Sequence, residues 1–119
     1  MRLANVDASI ILATLSILVP PALCVFGDAT YYRPGGERGA CGAPNADSDI
    51  VVALPVEHYN NGENCWKHIG VWYDGNYVDA AIVDSCPTCG PNDIDLSEGA
   101  FRHLADLETG RMRVSWEIL

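Results

Sequence analysis

The sequence predicts a mainly β fold, a small closed or nearly closed barrel with one or two short helices. Three observations predict it. Helical periodicity is confined to one stretch near the C-terminus. Most of the remainder consists of short runs rich in β-branched and aromatic residues, bounded by Gly, Pro, Asn and Asp. The connections between them are short, and closing the sheet is the natural way for such strands to hide their edges.

The first element is a leader rather than part of the fold. Arg2 precedes an uncharged stretch from Ala8 to Phe26, centred on Ile10 to Val19 and broken by Pro20-Pro21. Val25-Phe26-Gly27 places small or β-branched residues at positions −3 and −1 of a cleavage site. This is the layout of a secretory signal peptide over residues 1–27. A membrane anchor is the competing reading, since a span of ~20 apolar residues crosses a bilayer; the prolines and the short apolar core favour cleavage. The expected cut follows Gly27, with Ala22 and Cys24 as alternative sites.

Residues 28–119 then form one domain. Asp28 to Tyr32 reads as a first strand and Arg33 to Gly42 as an irregular Gly/Pro loop. Asp49 to Pro55 reads as a strand or short buried segment, and His58 to Asn64 as a polar loop. His68 to Tyr73 and Tyr77 to Val83 flank Asp74-Gly75-Asn76, a hairpin signal because Asp-Gly supplies the positive φ of a tight turn. In the second arm Val78, Ala80 and Ile82 alternate with Asp79, Ala81 and Val83. The run Asp84 to Ser97 reads as a Gly/Pro loop carrying three aspartates. Ser97 can cap a helix from Glu98 to about Leu107, with Ala100, Phe101 and Leu104 on one face and Gly110 as the stop. Met112 to Ile118 reads as the last strand.

A core this small needs staples. With Cys24 in the leader, Cys41, Cys65, Cys86 and Cys89 are an even set in a secreted chain and read as two disulfides. A redox or zinc role for Cys86-Pro87-Thr88-Cys89 is disfavoured. No second C-x-x-C exists, no His pair stands at finger spacing, and Gly90-Pro91-Asn92-Asp93 follow instead of a helix. His58, His68 and His103 are scattered, so no metal and no cofactor is expected. The net charge is −9, with 16 acidic against 7 basic residues. That argues against nucleic acid and anionic membrane as partners. A neutral polysaccharide remains open.

Two residues carry the chemical interest. Asp84 ends a strand, and Asp95 lies just before the helix, so a loop that folds back brings both to one cleft. Paired carboxylates flanking a sugar bond are the glycosidase arrangement. The plainer reading of Asp95 is a turn residue that satisfies backbone N–H groups, and Asp93 and Asp79 read more strongly that way. Tyr31 and Tyr32 point to opposite faces of their strand, so at most one lines a groove. Trp66, Trp72, Tyr73 and Tyr77 can stack on sugar rings, although core packing is the expectation for most of them.

The runs Asp28-Ala29-Thr30-Tyr31-Tyr32, Gly39-Ala40-Cys41-Gly42, Val83 to Cys89, Asp93-Ile94-Asp95-Leu96-Ser97 with Ala100-Phe101, and Gly110 to Glu117 resemble the six-stranded double-psi β-barrel domain of expansins. Small single-domain fungal forms, the loosenins, and barwin-like and RlpA-like secreted proteins share it. The resemblance covers essentially all of residues 28–119. It implies a polysaccharide groove with Thr30, Asp84 and Asp95 as binding residues, to which Tyr31 and Trp72 are added as the aromatic candidates for sugar contact. Asp95 is the carboxyl on which wall loosening depends, and Asp84 is its neighbour. It also implies the pairings Cys41–Cys65 and Cys86–Cys89, whereas the sequence alone permits all three. A tyrosine of bacterial expansins is replaced by Cys86. The related family 45 endoglucanases use the equivalent of Asp95 as general acid, and their base falls at Pro34, which takes no proton. The resemblance therefore implies a secreted, monomeric, non-hydrolytic protein that binds β-glucan or chitin and loosens it. An effector or inhibitor that grips a host protein through the barrel loops, and a lytic glycan-cleaving enzyme, are the competing functions.

Overall fold

The computed structural model describes residues 24–119; the part of the expected leader up to residue 23 lies outside the described residues. Six strands close into a barrel in the order β1-β5-β2-β4-β3-β6. They are β1 Val25–Tyr32, β2 Val51–Pro55, β3 His68–Tyr73, β4 Asn76–Cys86, β5 Ile94–Ser97 and β6 Met112–Ile118. Two short helices, α1 Val56–Tyr59 and α2 Glu98–Arg102, follow β2 and β5. The pairs β1–β5 and β2–β4 are parallel and the other four are antiparallel.

Alternation sorts the strands into an inner and an outer face. Val78, Ala80 and Ile82 of β4 point inward with Val114 and Trp116 of β6, Ile69 and Val71 of β3, and Ile94 and Leu96 of β5. β2 is buried along its whole length. The hairpin turn is the two residues Asp74 and Gly75, at φ 48° and 83°, as a two-residue turn with both φ positive requires. Asn76, expected in the turn, belongs to β4.

Four elements differ from the sequence expectation. β1 starts at Val25, not Asp28, and pairs Val25, Phe26 and Gly27 with β6. β4 runs on to Cys86 and takes the start of the expected loop, because parallel pairing with β2 continues there. The polar loop after β2 contains α1 and a 3-10 turn at Asn60–Gly62, with Asn60 and Asn61 in the left-handed region that asparagine tolerates. The helix expected to reach Leu107 stops at Arg102. Ala100 and Phe101 bury within that one turn and Leu104 just after it, and tighter bonds from the N–H groups of His103 and Leu104 to the carbonyls of Ala100 and Phe101 close it.

Ser97 ties three elements at one buried point. Its hydroxyl accepts from the Ala100 N–H at 3.1 Å and the Val51 N–H at 3.3 Å, and donates to the Asp49 carbonyl at 2.5 Å. Two disulfides, Cys41–Cys65 and Cys86–Cys89, staple the loops. The first closes a 24-residue separation and fastens the loop after β1 to the segment before β3. Replacing both its cysteines with Ala is expected to cost about 2–5 kcal/mol in urea denaturation. The second closes a separation of 3, and its loss costs less because a short loop has little closure entropy to remove.

Candidate functional site

A single row of residues crosses the outer face of the barrel. In the parallel pairing of β1 with β5, Thr30 stands opposite Asp95. Asp95 stands opposite Ala53 of β2, and Ala53 stands opposite Asp84 of β4. The two aspartates therefore flank one small residue across β2, with Cα atoms about 10 Å apart at two strand spacings. Ala53 keeps the floor between them low.

The orientation of Asp84 depends on a bulge. Val52 pairs with Ile82, but Ala53 pairs with Asp84, so Val83 is an extra residue in β4. Plain alternation through Val83 would put Asp84 on the inward face of Ile82; the bulge turns it outward. Its Oδ1 then accepts the backbone N–H groups of Ala40 and Ser85, each at 2.8 Å. Gly39 makes this approach possible, since a Cβ there would lie 2.5 Å from the Val83 carbonyl.

Asp95 accepts a hydrogen bond from the Thr30 hydroxyl at 3.0 Å. Burial pushes its carboxyl above the ordinary aspartate value; the Thr30 bond opposes this, and the charge of Asp84 adds to it. Tyr32, two residues beyond Thr30 on the same outer face, completes the cluster. Burial, then the carboxylates of Asp84 and Asp95, push its phenol well above the usual value. It remains a neutral hydroxyl beside two carboxyl groups.

Two recesses lie on either side. One, of about 190 Å³, lies between Tyr32, Asp84 and the loop that carries Pro34, Glu37 and Arg38. The other, of about 150 Å³, is bounded by Thr30, Asp95, Asp28, Arg111 and the Cys86–Cys89 disulfide. In the second, Arg111 pairs with Asp28 at 2.8 Å and reaches Asp93 at 3.5 Å, while Asp93 accepts the Asp28 N–H at 2.8 Å. Asp93 thus ties the loop to β1, a larger part than the turn residue expected. Such a trough, lined with donors and acceptors and carrying a carboxyl disposed to hold a proton, suits a hydroxyl-rich chain and proton donation to a glycosidic oxygen.

The expected site residues divide. Thr30, Asp84 and Asp95 come together. Tyr31 does not join them: it packs against Phe101, ring centroids 5.0 Å apart, because its side chain follows the inward phase of Ala29. Tyr32 takes the groove position. Trp72 lies near the turn end of the β3–β4 hairpin against Tyr77, ring centroids 4.9 Å apart. Asp84 is about 23 Å further along β4 from Tyr77 at the usual rise per residue. The expectation that most hairpin aromatics are core also fails, since Trp66, Trp72 and Tyr77 are exposed and only Tyr73 packs on the core. Ala53 and the pairing of Asp28 with Arg111 and Asp93 were not singled out from the sequence, and of the two tyrosines weighed there Tyr31 was the one expected in the groove. Tyr32 was within reach: once Thr30 faces the groove, period-two alternation carries Tyr32 with it.

Interlocked parallel pairs in a closed six-stranded barrel, with this polar trough across one face, define a double-psi β-barrel protein. No family model matches the chain. It is 34% identical over 109 residues to the papain inhibitor of Streptomyces mobaraensis, covering 85% of this chain and 76% of that protein. It is 33% identical over 109 residues to EG45-like domain containing protein 2 of Arabidopsis thaliana, covering 82% and 83%. A mutant of the Clavibacter michiganensis expansin, solved in complex with cellohexaose, superposes with a TM-score of 0.73 at 28% identity; the match covers 81% of this chain and 50% of the expansin. The chain belongs to the expansin-like family of double-psi β-barrel proteins.

Proposed function

We propose that this chain is a secreted, non-hydrolytic expansin-like protein that binds a β-glucan or chitin strand in the trough and loosens its packing. The observation that carries the reading is the row Thr30–Asp95–Ala53–Asp84, with Tyr32 beside it. Hydroxyl and carboxyl groups there compete for the hydrogen bonds that hold polysaccharide chains together. The cellohexaose complex of a similar expansin supports the substrate class. Pro34 at the rim offers no proton acceptor, which argues against cutting. Two disulfides suit an oxidising, extracellular location. Cleavage of the leader after Ala22 or Cys24 leaves β1 whole, whereas a cut after Gly27 removes its first three residues. The test is co-sedimentation with insoluble cellulose and chitin, with reducing sugar measured in the same tubes. Binding without sugar release is expected. Sugar release that depends on Asp95 would instead make the chain a glycan-cleaving enzyme.

The papain-inhibitor relative supports a second reading, a loop-borne grip on a host protein such as a cysteine protease. Inhibition of papain that survives changes at Thr30 and Asp95 but fails on replacing the Arg33 to Gly39 loop would favour it.

A further inference from the structure

One buried polar atom stands without a partner. Among the described residues, Oδ1 of Asn45 is the one buried side-chain oxygen or nitrogen that takes no hydrogen bond. Folded proteins pair nearly all such groups, so an exception asks for a reason. Asn45, itself half-buried, is a wall of the recess of about 190 Å³ at the Asp84 end of the trough. Asp49 sets which way its amide turns. The Nδ2 group faces Asp49 Oδ2 at 3.5 Å. A carboxylate oxygen only accepts, so the amide nitrogen takes that side and the oxygen takes the other.

The recess is formed in advance. The loop from Arg33 to Asn45 folds back on itself, with the Gly36 N–H donating to the Asn45 carbonyl at 2.8 Å and the Gly39 N–H to the Ala43 carbonyl at 3.3 Å. Arg33 is tied to the buried Glu98 at 2.6 Å. The Gly35 N–H donates to Asp47 Oδ1 at 2.8 Å, and the Cys41–Cys65 disulfide fastens the loop to the barrel. Asn45 and Arg38 therefore hold their places before a ligand arrives, which spares the cost of ordering them.

Three kinds of group line this recess together. Asn45 supplies an acceptor in need of a donor. Arg38 supplies a guanidinium, of which one N–H goes to the Gly42 carbonyl and the others remain. Pro34 supplies an apolar ring. At the mouth, Asp84 has Oδ1 committed to the Ala40 and Ser85 N–H groups, which leaves Oδ2 for a ring hydroxyl. A small planar amide carries one donor, one acceptor and one methyl group. A sugar hydroxyl is a single heavy atom and cannot meet all three walls at once.

We propose that this recess is an acetamido subsite at the end of the trough, so that the preferred occupant is a β-linked chain of N-acetylated amino sugars and not an unsubstituted glucan. The acetamido N–H meets Asn45 Oδ1, its carbonyl meets Arg38 and its methyl group meets Pro34. This rests on the trough reading of function and chooses between the two polymers named there.

The experiment titrates two hexasaccharides, β-linked N-acetylglucosamine and cellohexaose, into wild type, Asn45→Leu and Arg38→Gln, with folding checked by thermal melting. Wild type is expected to bind the acetylated chain about tenfold or more tightly than the glucan. That preference should shrink to near unity in Asn45→Leu and fall severalfold in Arg38→Gln. Arg38 is exposed, so its variant carries the test if Asn45→Leu does not fold. Equal affinity of wild type for the two hexamers, or tighter binding of cellohexaose, overturns the subsite while leaving the trough reading intact. So does a preference that both folded variants retain, and so does an equal loss of both sugars, which would make Asn45 structural. Loss of papain inhibition in the variants with the sugar preference kept also overturns it, and gives the recess to a peptide amide. Absence of wild-type binding to either sugar overturns both readings.

Discussion

Replacing Asp95 with Asn is expected to abolish polysaccharide loosening, to the background of a protein-free control, while the protein melts at a higher temperature at neutral pH. The two effects share a cause. The amide side chain keeps an oxygen for the Thr30 hydroxyl, which bonds Oδ1 of Asp95 at 3.0 Å in the wild type. The substitution removes a carboxylate that burial and the charge of Asp84 both disfavour. The folded pKa lies above the unfolded value of ~3.9, so the folded state holds this proton more tightly. The stabilisation from that proton is complete below the unfolded pKa and is lost as pH rises through the folded one. Wild type therefore gains on the Asn variant as pH falls, and the difference in melting temperature closes towards acid. Melting curves across roughly pH 3–8, run beside a paper- or fibre-loosening assay, test both halves. Equal loosening by wild type and variant would remove Asp95 from the mechanism. A pH-independent difference in melting would remove the account of its environment.

The largest loss of stability is expected at Trp116. Its side chain is 1% exposed, lies in the core row with Val71, and meets the His58 ring edge-on at 4.9 Å. Its indole N–H donates to the Asn92 carbonyl at 2.9 Å. Trp116→Ala is expected to cost about 3–5 kcal/mol from the cavity, a large part of the roughly 5–15 kcal/mol that is typical of a domain. Trp116→Phe keeps most of the volume but leaves the Asn92 carbonyl without its donor, costing about 1–3 kcal/mol. Urea denaturation separates the two. The Phe variant should also weaken glycan binding, since Asn92 precedes Asp93, which holds β1 beside the trough. An unchanged binding isotherm would show that the loop keeps its place without the indole.

Much of the barrel is legible in the residues, and the reasons for the gaps are specific. The hairpin announces itself through Asp74-Gly75, the last strand through Val114 and Trp116, and the helix through its Ser97 cap. β5 does not, because four residues within a Gly/Pro loop are too few for a period to show. Thr30 and Asp95 were therefore visible as a likeness to expansins but not as cross-strand partners, 65 residues apart in the chain. Tyr31 and Tyr32 illustrate a different limit. Alternation states that they part company, but which one turns inward depends on the phase set by Ala29 and the barrel core. Trp72 shows a third limit: its type suggests stacking, while its distance from Asp84 follows only from how far β4 runs.

The extra residue at Val83 keeps the face Asp84 presents from being a matter of counting. Upstream of it, the even-numbered positions Val78, Ala80 and Ile82 belong to the interior; just past it, Asp84 belongs to the outer face. Loss of Val83 would place Asp84 directly after Ile82, still opposite Ala53 and still on the outer face, with the bulge gone. What the groove requires is therefore the pairing of Asp84 with Ala53, not a fixed number of residues after Ile82. Alignments of such barrels then transmit the groove through that cross-strand pairing, even where the count between the two residues differs.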